Sequence, residues 1–445
     1  MTHTIGMISL GCAKNQVNAE HMLWLLRQAG YEISPDPDGA ELVIVNTCGF
    51  IESAKTEAID NILAMAQLKA EGRIQKILVT GCLAQRYQEE ILKELPEVDG
   101  VLGTGSYYDV ANAVRQVLSG KRYKRFDDIN AEQPEDGRIL TTPEYYAYLK
   151  IAEGCDNHCA YCVIPKLRGK LRSRPMEDLI KEAEQLASDG VKELIVVAQD
   201  TSRYGLDLYG ERKLAELLRR LCKIDGLVWV RVHPDEMSQE LIDVLANEPK
   251  IVKYLDIPIQ HINDEILRKM NRRGNGEYVR QLFTKLRHEI PGLVLRTSLI
   301  TGLPGEGEVE FAQLCDFLKE YKLERVGAFA FSPEEGTRAA EMEYPDTEIA
   351  KQRAEQVAEI QSRIMDDYNE SCVGQVMQVL CEGYDPDEDS YYGRTYADSP
   401  DIDGKIWFTA EKHIKTGDFV DIHVVDTYDG ELVGVLEEEY NDDCE

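Results

Sequence analysis

The sequence feature that most constrains this chain is a run of three cysteines in residues 154–162, GCDNHCAYC. Cys155, Cys159 and Cys162 have C-x₃-C-x₂-C spacing and directly follow a segment that predicts a strand. Soft thiolates select iron–sulfur clusters or zinc, but zinc would need a fourth ligand and the sequence has no second C-x₂-C pair. Three thiolates would leave one iron of a cluster open to bind a substrate. The alternative is three incidental core cysteines.

The segments around this motif alternate between strand-like and helix-like patterns, which predicts parallel α/β architecture. In residues 1–128, apolar runs at 4–10, 42–46 and 76–80 alternate with helical patterns at 20–28, 54–69 and 88–95. The polar residues 129–140, with Pro134 and Gly137, predict a linker. We therefore expect an N-terminal parallel α/β domain that ends in a linker.

Residues 141–371 repeat the rhythm with about six strand–helix units, which favours a complete or partial βα barrel. The predicted strands are 146–151, 193–198, 227–232, 254–257, 293–301 and 325–331, and a long helical pattern over 346–372 closes the region. Residues 372–440 contain short alternating strands separated by Gly and Asp turns. This pattern is typical of a small antiparallel β-barrel of the OB type, and residues 441–445 form an acidic tail.

A second group of three cysteines occurs in the N-terminal region. Cys12, Cys48 and Cys82 each follow a predicted strand, and parallel sheets bind their ligands at the carboxyl ends of strands. The three thiols can therefore converge on one metal centre, and the glycines beside them, Gly11, Gly49 and Gly81, would let the backbone approach a bulky cluster. Small core cysteines are the alternative. The five other cysteines lack metal spacing and are interpreted as structural: Cys222, Cys315, Cys372, Cys381 and Cys444.

Composition narrows the class of protein. The chain has 445 residues and a net charge of −31, which disfavours general binding to a polyanion. No apolar run approaches the ~20 residues of a membrane span, and the first residues do not resemble a signal peptide. We therefore expect a cytoplasmic protein with reduced cysteines and no membrane partner.

The three-cysteine motif of Cys155, Cys159 and Cys162, called the triplet below, and the predicted barrel resemble the radical S-adenosylmethionine (SAM) superfamily. The whole chain resembles the methylthiotransferase family. The resemblance implies a [4Fe–4S] cluster on Cys155, Cys159 and Cys162 that binds SAM and cleaves it reductively to a radical. It implies a second [4Fe–4S] cluster on Cys12, Cys48 and Cys82 that carries sulfur, a TRAM domain as the β-barrel, and a reductant protein as electron donor. The implied reaction inserts a sulfur and a methyl group at a C–H bond.

The resemblance also suggests residues that contact SAM and the substrate. Tyr161 would lie beside the adenine, although simple packing is the alternative. The strand-end residues Gln199 and Asp200 would bind the amino or ribose groups of SAM, and Ser298 and Thr301 precede a Gly-Leu-Pro-Gly-Glu turn that lacks the Lys-Ser/Thr of a P-loop. A run of basic residues at 166–174 follows the three-cysteine motif. It is either a solvated face or an anion site, in which Arg174 would bind the carboxylate of SAM and Arg168 and Arg172 an anionic substrate group.

Within this family, two substrates compete: a transfer RNA adenosine and the β-carbon of an aspartate in ribosomal protein S12. Residues 9–15 (SLGCAKN), 256–261 (DIPIQH) and 393–398 (GRTYAD) resemble the branch that modifies S12, although Ala13 and Gln16 depart from the Pro and Leu usual there. A non-catalytic electron-transfer module is the alternative from another class, but such carriers usually ligate every iron, and each group here has three cysteines.

Charge supports the protein substrate independently. Residues 372–445 contain 20 Asp and Glu against 4 Lys and Arg, a net charge of −16. An RNA-binding barrel would present a positive groove with stacking aromatics, and this one has the aromatics Tyr391, Tyr392, Tyr396 and Trp407 but the opposite charge. Because ribosomal proteins are basic, an acidic module suits S12, and nucleic acid is not expected as the direct target. The alternative is that the acidity serves only solubility.

Overall fold

The structure, a computed structural model, describes residues 3–135 and 137–440, so the acidic tail at 441–445 lies outside the described residues. The N-terminal region is one six-stranded parallel sheet in the order β2-β1-β3-β4-β5-β6 with helices on its faces. Its strands are β1 Thr4–Ser9, β2 Glu32–Ser34, β3 Leu42–Thr47, β4 Lys76–Gly81, β5 Gly100–Leu102 and β6 Tyr123–Arg125. Its helices are α1 Ala13–Gln28, α2 Glu52–Ala70, α3 Cys82–Tyr87, α4 Glu90–Glu94 and α5 Val110–Leu118.

Strand β3 is buried along its whole length, which is typical of a strand inside a parallel sheet. All six residues of the strand are buried, as expected where helices cover both faces of a sheet. One core packs α2 against the sheet, and a second packs α1 and α5 against the opposite face. The predicted helix over 88–95 is wrong at its start, because Gln88 adopts a positive φ of 46° between α3 and α4.

The central region is built around six parallel strands that form two sheets, β11-β10-β7 and β12-β13-β14. A parallel β-bridge links Val230 on β11 to Ile251, three residues before β12, so the strands follow one another as a partial barrel. The strands of the region are β7 Tyr146–Lys150, β8 Ala152–Glu153, β9 Arg172–Ser173, β10 Glu193–Val197, β11 Trp229–Val232, β12 Tyr254–Asp256, β13 Val294–Thr301 and β14 Arg325–Ala330.

Helices cover the outside of this barrel and bury one large apolar core against its strands. They are α6 Ile164–Arg168, α7 Met176–Ser188, α8 Leu206–Tyr209, α9 Leu214–Leu221, α10 Gln239–Asn247, α11 Asp264–Lys269, α12 Gly276–Glu289, α13 Glu308–Tyr321 and α14 Thr347–Cys372. Helix α14 is the long closing helix that the sequence predicts, and it packs against α13, β13 and β14.

The C-terminal region is a closed five-stranded barrel in the order β15-β16-β17-β19-β18. Its strands are β15 Val376–Asp385, β16 Ser390–Thr395, β17 Ile406–Thr409, β18 Phe419–Tyr428 and β19 Glu431–Leu436. The predicted fold class is therefore confirmed in all three regions: a parallel α/β sheet, a partial βα barrel and a small β-barrel. The small β-barrel is not wholly antiparallel as predicted, because β17 and β19 pair in parallel where the chain closes it. Among the residues described, no helix is long and apolar enough to cross a membrane.

Candidate active site

The three N-terminal cysteines lie at one edge of the parallel sheet, at the carboxyl ends of neighbouring strands. Cys12 is the N-cap residue of α1, Cys48 follows β3, and Cys82 is the first residue of α3 directly after β4. A β-carbon built on Gly11 would lie 3.0 Å from Sγ of Cys48, so the chain after β1 packs directly against this thiol. The backbone at Gly11 and the thiol of Cys48 are therefore in direct contact at this edge of the sheet.

The electrostatics of these thiols show that they are neighbours. Burial, together with Cys82 and Cys12, raises the pKa of Cys48 to about 11, and burial also raises the pKa of Cys82. Desolvation opposes ionisation of Cys12 too, but Lys14 and Arg168 outweigh it and lower the pKa of this thiol. Each thiol is therefore close enough to influence another, and the start of the 16-residue helix α1 adds a favourable field for anions beside Cys12.

The second group of cysteines lies on the loop between β8 and α6. Hydrogen bonds hold this loop: the Cys155 amide donates to the Gly169 carbonyl at 3.1 Å and the Cys162 amide to the Cys159 carbonyl at 3.1 Å. Gly154 precedes the loop with φ of +75°, and a β-carbon there would overlap the Lys170 carbonyl. Burial raises the pKa of Cys155 to about 11 and that of Cys162 to about 12.

Polar side chains from the barrel fix this loop. Asn157 donates to Oδ2 of Asp200 at 2.7 Å and accepts from Arg203 at 2.9 Å. From another direction, the Arg272 guanidinium approaches Sγ of Cys159 at 3.7 Å and pairs with Asp235 at 3.3 Å. The cysteine loop is therefore held in place by the carboxyl ends of several strands, where barrels carry their catalytic groups.

Both groups of cysteines suit an iron–sulfur cluster better than a single metal ion. In the described part of the chain, no three His, Cys, Asp or Glu side chains are arranged to hold one ion. In a cluster, by contrast, each thiolate binds its own iron, so the sulfurs need not converge on one point. An arginine also donates to a sulfur of each group, Arg168 to Cys82 and Arg272 to Cys159, as suits thiolate ligands. The residues present therefore fit two three-cysteine [4Fe–4S] sites.

Helix α6, which follows the triplet loop, joins the barrel to the N-terminal cysteine site at the boundary between the two regions. The helix begins two residues after Cys162, and Val163 and Leu167 pack against Cys82 and Phe50. Arg168, at the end of this helix, donates to Sγ of Cys82 at 3.3 and 3.2 Å. The sequence predicted each group of cysteines but not this contact of α6 with the N-terminal site.

Two of the residues predicted to bind SAM lie close to the cysteine loop. Gln199 donates to Glu153 at 3.0 Å, while its buried Oε1 accepts no hydrogen bond from any residue described. The ring of Tyr161 packs against the apolar cluster around Met270 and Leu303, and burial raises its pKa well above the usual value. Gln199 therefore keeps a free acceptor for the predicted contact with SAM, whereas the packing of Tyr161 agrees with the alternative interpretation; both contacts stay predictions.

The other predicted residues already have hydrogen-bond partners within the protein. Asp200 caps the turn that follows it, accepting from the amide of Ser202 at 3.0 Å. The Thr301 hydroxyl donates to the Ala350 carbonyl on α14 at 2.7 Å. Ser298 is half-buried on β13, and its carbonyl accepts from the Gln260 amide at 3.0 Å. Contacts of these three residues with SAM stay predictions.

The basic run after the triplet separates into residues with different partners. Arg174 pairs with Glu135 at 2.8 Å and with Glu182 at 2.6 Å, so the structure joins it to the linker region and not to the cysteine loop. Arg172 donates to the carbonyls of Arg168 and Lys170. Only Arg168 of the predicted arginines reaches a cysteine, and the proposed binding of anions by the other two is not favoured by this geometry.

Sequence reasoning missed Glu153, Asp235 and Arg272. Asp235 follows β11, so the strand-end rule that found the cysteines would also have found it. Burial, partly offset by Arg272, raises the pKa of Asp235 to about 6. No local pattern marks Glu153 or Arg272, because their importance comes from partners that are distant in the sequence.

Comparison with protein-family models divides the chain in the same way. Residues 4–103 match an uncharacterized protein family, UPF0004, residues 149–318 match the radical SAM superfamily, and residues 373–436 match the TRAM domain. The first two matches contain all six cysteines of the two groups, since Cys12, Cys48 and Cys82 lie in the first match and the triplet in the second.

Curated relatives match nearly the whole chain and carry one name, "Ribosomal protein uS12 methylthiotransferase RimO". The protein from Lachnoclostridium phytofermentans is 48% identical over 97% of this chain and 100% of its own length. The protein from Acetivibrio thermocellus is 47% identical over 98% of both chains, and that from Thermoanaerobacter sp. is 46% identical over 97% of this chain and 99% of its own.

Solved structures resemble this chain in fold at much lower identity. The radical SAM methyltransferase TsrM from Kitasatospora setae, solved with cobalamin and a [4Fe–4S] cluster bound, superposes with a TM-score of 0.55 at 16% identity. The match covers 76% of this chain and 77% of that one. TsrM with tryptophan and a SAM analogue gives a TM-score of 0.53 at 15% identity, over 74% of this chain and 73% of that one.

Proposed function

This chain belongs to the RimO family of ribosomal protein uS12 methylthiotransferases, and from that premise we propose that it methylthiolates the β-carbon of an aspartate in ribosomal protein S12. It is a radical SAM enzyme that uses SAM and [4Fe–4S] chemistry. The observation that carries the proposal is the meeting of two three-cysteine groups at one domain boundary, because the reaction needs both a radical and a sulfur source at one place.

The six cysteines have divided roles in this proposal. Cys155, Cys159 and Cys162 hold the cluster that binds SAM, and Cys12, Cys48 and Cys82 hold a second cluster that carries the sulfur. When bound, the first cluster would supply the electron that cleaves SAM to the hydrogen-abstracting radical, the second would supply the sulfur, and a further SAM would supply the methyl group. The protein orients both centres by the hydrogen bonds and strand ends described above.

The residues around the triplet would bind SAM. Gln199 has a buried and unpaired Oε1 that can accept a hydrogen bond from the amino group of SAM. Tyr161 offers an aromatic face to the adenine, and Asp200 acts indirectly by holding Asn157 and hence the cysteine loop. Contacts of SAM with Ser298, Thr301 and Arg174, and of the substrate with Arg168 and Arg172, remain predictions.

The charge and the aromatics of the C-terminal barrel support a basic protein as the substrate. Exposed acidic side chains cover several of its turns, while its one arginine, Arg394, is buried among acidic partners. Lys405 covers the rings of Tyr392 and Trp407, and Nε1 of Trp407 donates to Glu431 at 2.5 Å. These rings are thus engaged within the barrel, whereas an RNA-binding barrel presents free rings in a positive groove.

One further partner and a location complete the proposal. A reductant protein donates the electron that SAM cleavage requires, and the enzyme acts in the cytoplasm, where S12 and such reductants occur together. Nucleic acid is not the direct target, although S12 within an assembled ribosome would bring RNA close to the enzyme.

The experiment presents both candidate substrates to the same enzyme. The full chain is reconstituted anaerobically with iron and sulfide and incubated with SAM, dithionite and either S12 or bulk transfer RNA. Mass spectrometry should find S12 heavier by one methylthio group and the RNA nucleosides unchanged, and the Cys155→Ala variant should modify neither. Modified RNA beside untouched S12 would refute the choice of substrate.

A further inference from the structure

Arg168 is a buried residue of the barrel whose side chain reaches across the domain boundary to a cysteine of the N-terminal group. Its guanidinium is 2% exposed, and it donates through Nε and Nη2 to Sγ of Cys82 at 3.3 and 3.2 Å. Nη2 also donates to Asn15 at 2.9 Å, and Nη1 pairs with Glu153 at 3.1 Å. Its position is therefore fixed from both domains.

Glu153 continues this connection to the other cysteine group. It lies two residues before Cys155. Its carboxylate accepts hydrogen bonds from Arg168, from Lys150 at 3.4 Å and from Gln199 at 3.0 Å. Lys150 is fixed in turn by Asn18 at 2.6 Å. A buried series of charged hydrogen bonds thus runs from Cys82 to the start of the triplet loop.

We propose that Arg168 is a positioning residue that sets the reduction potential of the N-terminal cluster, by donating two charge-assisted hydrogen bonds to its ligand Cys82. The inference rests on the proposed second cluster. Adding an electron makes a cluster more negative, so a buried cation and N–H···S bonds at a ligand sulfur stabilise the reduced form and raise the potential. Glu153 partly neutralises this cation and therefore lowers the potential.

The arrangement predicts shifts of opposite sign, which a general loss of structure would not produce. Replacing Arg168 by Gln removes the cation and should move the potential to more negative values. Replacing Glu153 by Gln leaves Arg168 less neutralised and should move it to more positive values. Arg168→Lys keeps the charge without the planar fork of donors, so its potential should lie between that of the parent and that of Arg168→Gln.

The measurement uses the full chain with Cys155, Cys159 and Cys162 replaced by Ala, so that only the N-terminal cluster can assemble. Redox titration followed by electron paramagnetic resonance gives the midpoint potential, and iron analysis gives the cluster content. Lys166→Gln is the matched control, because it removes a cation from the same helix. The Nζ of Lys166 donates to the Gly336 carbonyl and not to a cysteine.

We expect Lys166→Gln to keep the parent potential while Arg168→Gln and Glu153→Gln shift it in opposite directions at unchanged iron content. Equal potentials in Arg168→Gln and Lys166→Gln would overturn the inference. If Arg168→Gln binds no iron, Arg168→Lys decides, since a potential identical to the parent's would also overturn it. If the background protein itself binds no cluster, the proposed second cluster fails, and this inference fails with it.

Discussion

Gly11 shows how one residue makes the N-terminal cysteine site possible. Its φ of +89° is a left-handed conformation that side chains disfavour, and a β-carbon there would lie 2.6 Å from Cβ of Cys48. Glycine avoids both the backbone strain and the clash with the thiol ligand. The close approach of glycine and cysteine was predictable from the sequence, because both follow strands that pair in parallel.

We predict that Gly11→Ala displaces Cys48 and lowers the iron bound by the N-terminal group. The left-handed conformation alone costs an L-residue roughly 1–2 kcal/mol, and the clash adds to this cost. Iron analysis of the variant in the Cys155, Cys159 and Cys162→Ala background measures the effect. Gly30→Ala is the control, since Gly30 has φ of +86° but no atom within 4 Å of its built β-carbon. Equal iron loss in both variants would contradict the account.

Side-chain partners were the least predictable feature at this scale. The basic run 166–174 indicated an anion site, yet Arg174 pairs with Glu135 and Glu182, and only Arg168 reaches Cys82. Nothing in the local spacing distinguishes these arginines. Their partners are set by how the domains pack, which depends on contacts between residues far apart in the sequence.

At the scale of elements, α1 fastens the linker to the N-terminal sheet. His21 on α1 is buried, and its Nδ1 donates to the Gly137 carbonyl at 2.7 Å. Glu20 beside it accepts from the Thr141 amide at 2.9 Å and pairs with Arg138 at 3.3 Å. The linker that the sequence predicted as polar chain is thus held by buried hydrogen bonds.

We predict that acid loosens this attachment between pH 6.5 and about 4. Burial lowers the pKa of His21 from 6.5 to about 4, so the unfolded chain binds this proton more readily than the folded chain. The stabilisation is complete above pH 6.5 and is lost as the pH falls through 4, by about 3 kcal/mol in total. Urea midpoints at pH 7.5 and 5 should fall less with pH in His21→Gln than in the parent. An identical fall in both would contradict this role, although the similarly buried His233 leaves some pH dependence in either protein.

Elements that lie in long apolar stretches were predictable from the sequence, and isolated short ones were not. The six strands of the barrel and helix α14 match their predicted segments; even the three-residue β12 lies within the apolar stretch 251–259. Strands β2, β5 and β6 have three residues each, too few to show a period, and β16 was missed because Gly393 and Arg394 interrupt its pattern.

At the scale of the whole molecule, buried ion pairs join the C-terminal barrel to the central one. Arg394 on β16 forms an ion pair with Glu193 on β10 at 2.7 Å. Glu193 forms a second ion pair with Arg231 at 2.9 Å. Close by, Arg325 pairs with Asp398 at 3.1 Å. The two regions therefore dock through pairs of both polarities, Arg394 of the C-terminal region on Glu193 and its Asp398 on Arg325 of the barrel.

We predict that Arg394→Met destabilises the protein strongly. The change leaves the fully buried Glu193 and the partly buried Glu382 with fewer positive partners, and removing one member of a buried pair typically costs about 3–5 kcal/mol. Lys412→Met is the control, because the exposed pair of Lys412 and Glu438 contributes at most about 1 kcal/mol. Urea midpoints of both variants test this, and equal midpoints would show that the interface pairs are not important for stability.

The order of the three regions and the two groups of cysteines were predictable, because each depends on local pattern or spacing. The connection of the two groups through α6 was not, since it follows from the packing of α6 against Cys82 across the domain boundary. This arrangement leads to the central claim, that one group makes the radical and the other delivers the sulfur.

The most direct test measures both half-reactions in Cys82→Ala, Cys162→Ala and the control Cys222→Ala, whose thiol is buried in the helical layer of the barrel core. Each reconstituted variant receives SAM, dithionite and S12, and 5′-deoxyadenosine and methylthiolated S12 are quantified together. The account predicts that Cys222→Ala forms both products, that Cys82→Ala forms 5′-deoxyadenosine without modified S12, and that Cys162→Ala forms neither. Modified S12 from Cys82→Ala at the parent's level would contradict the division of roles between the two groups.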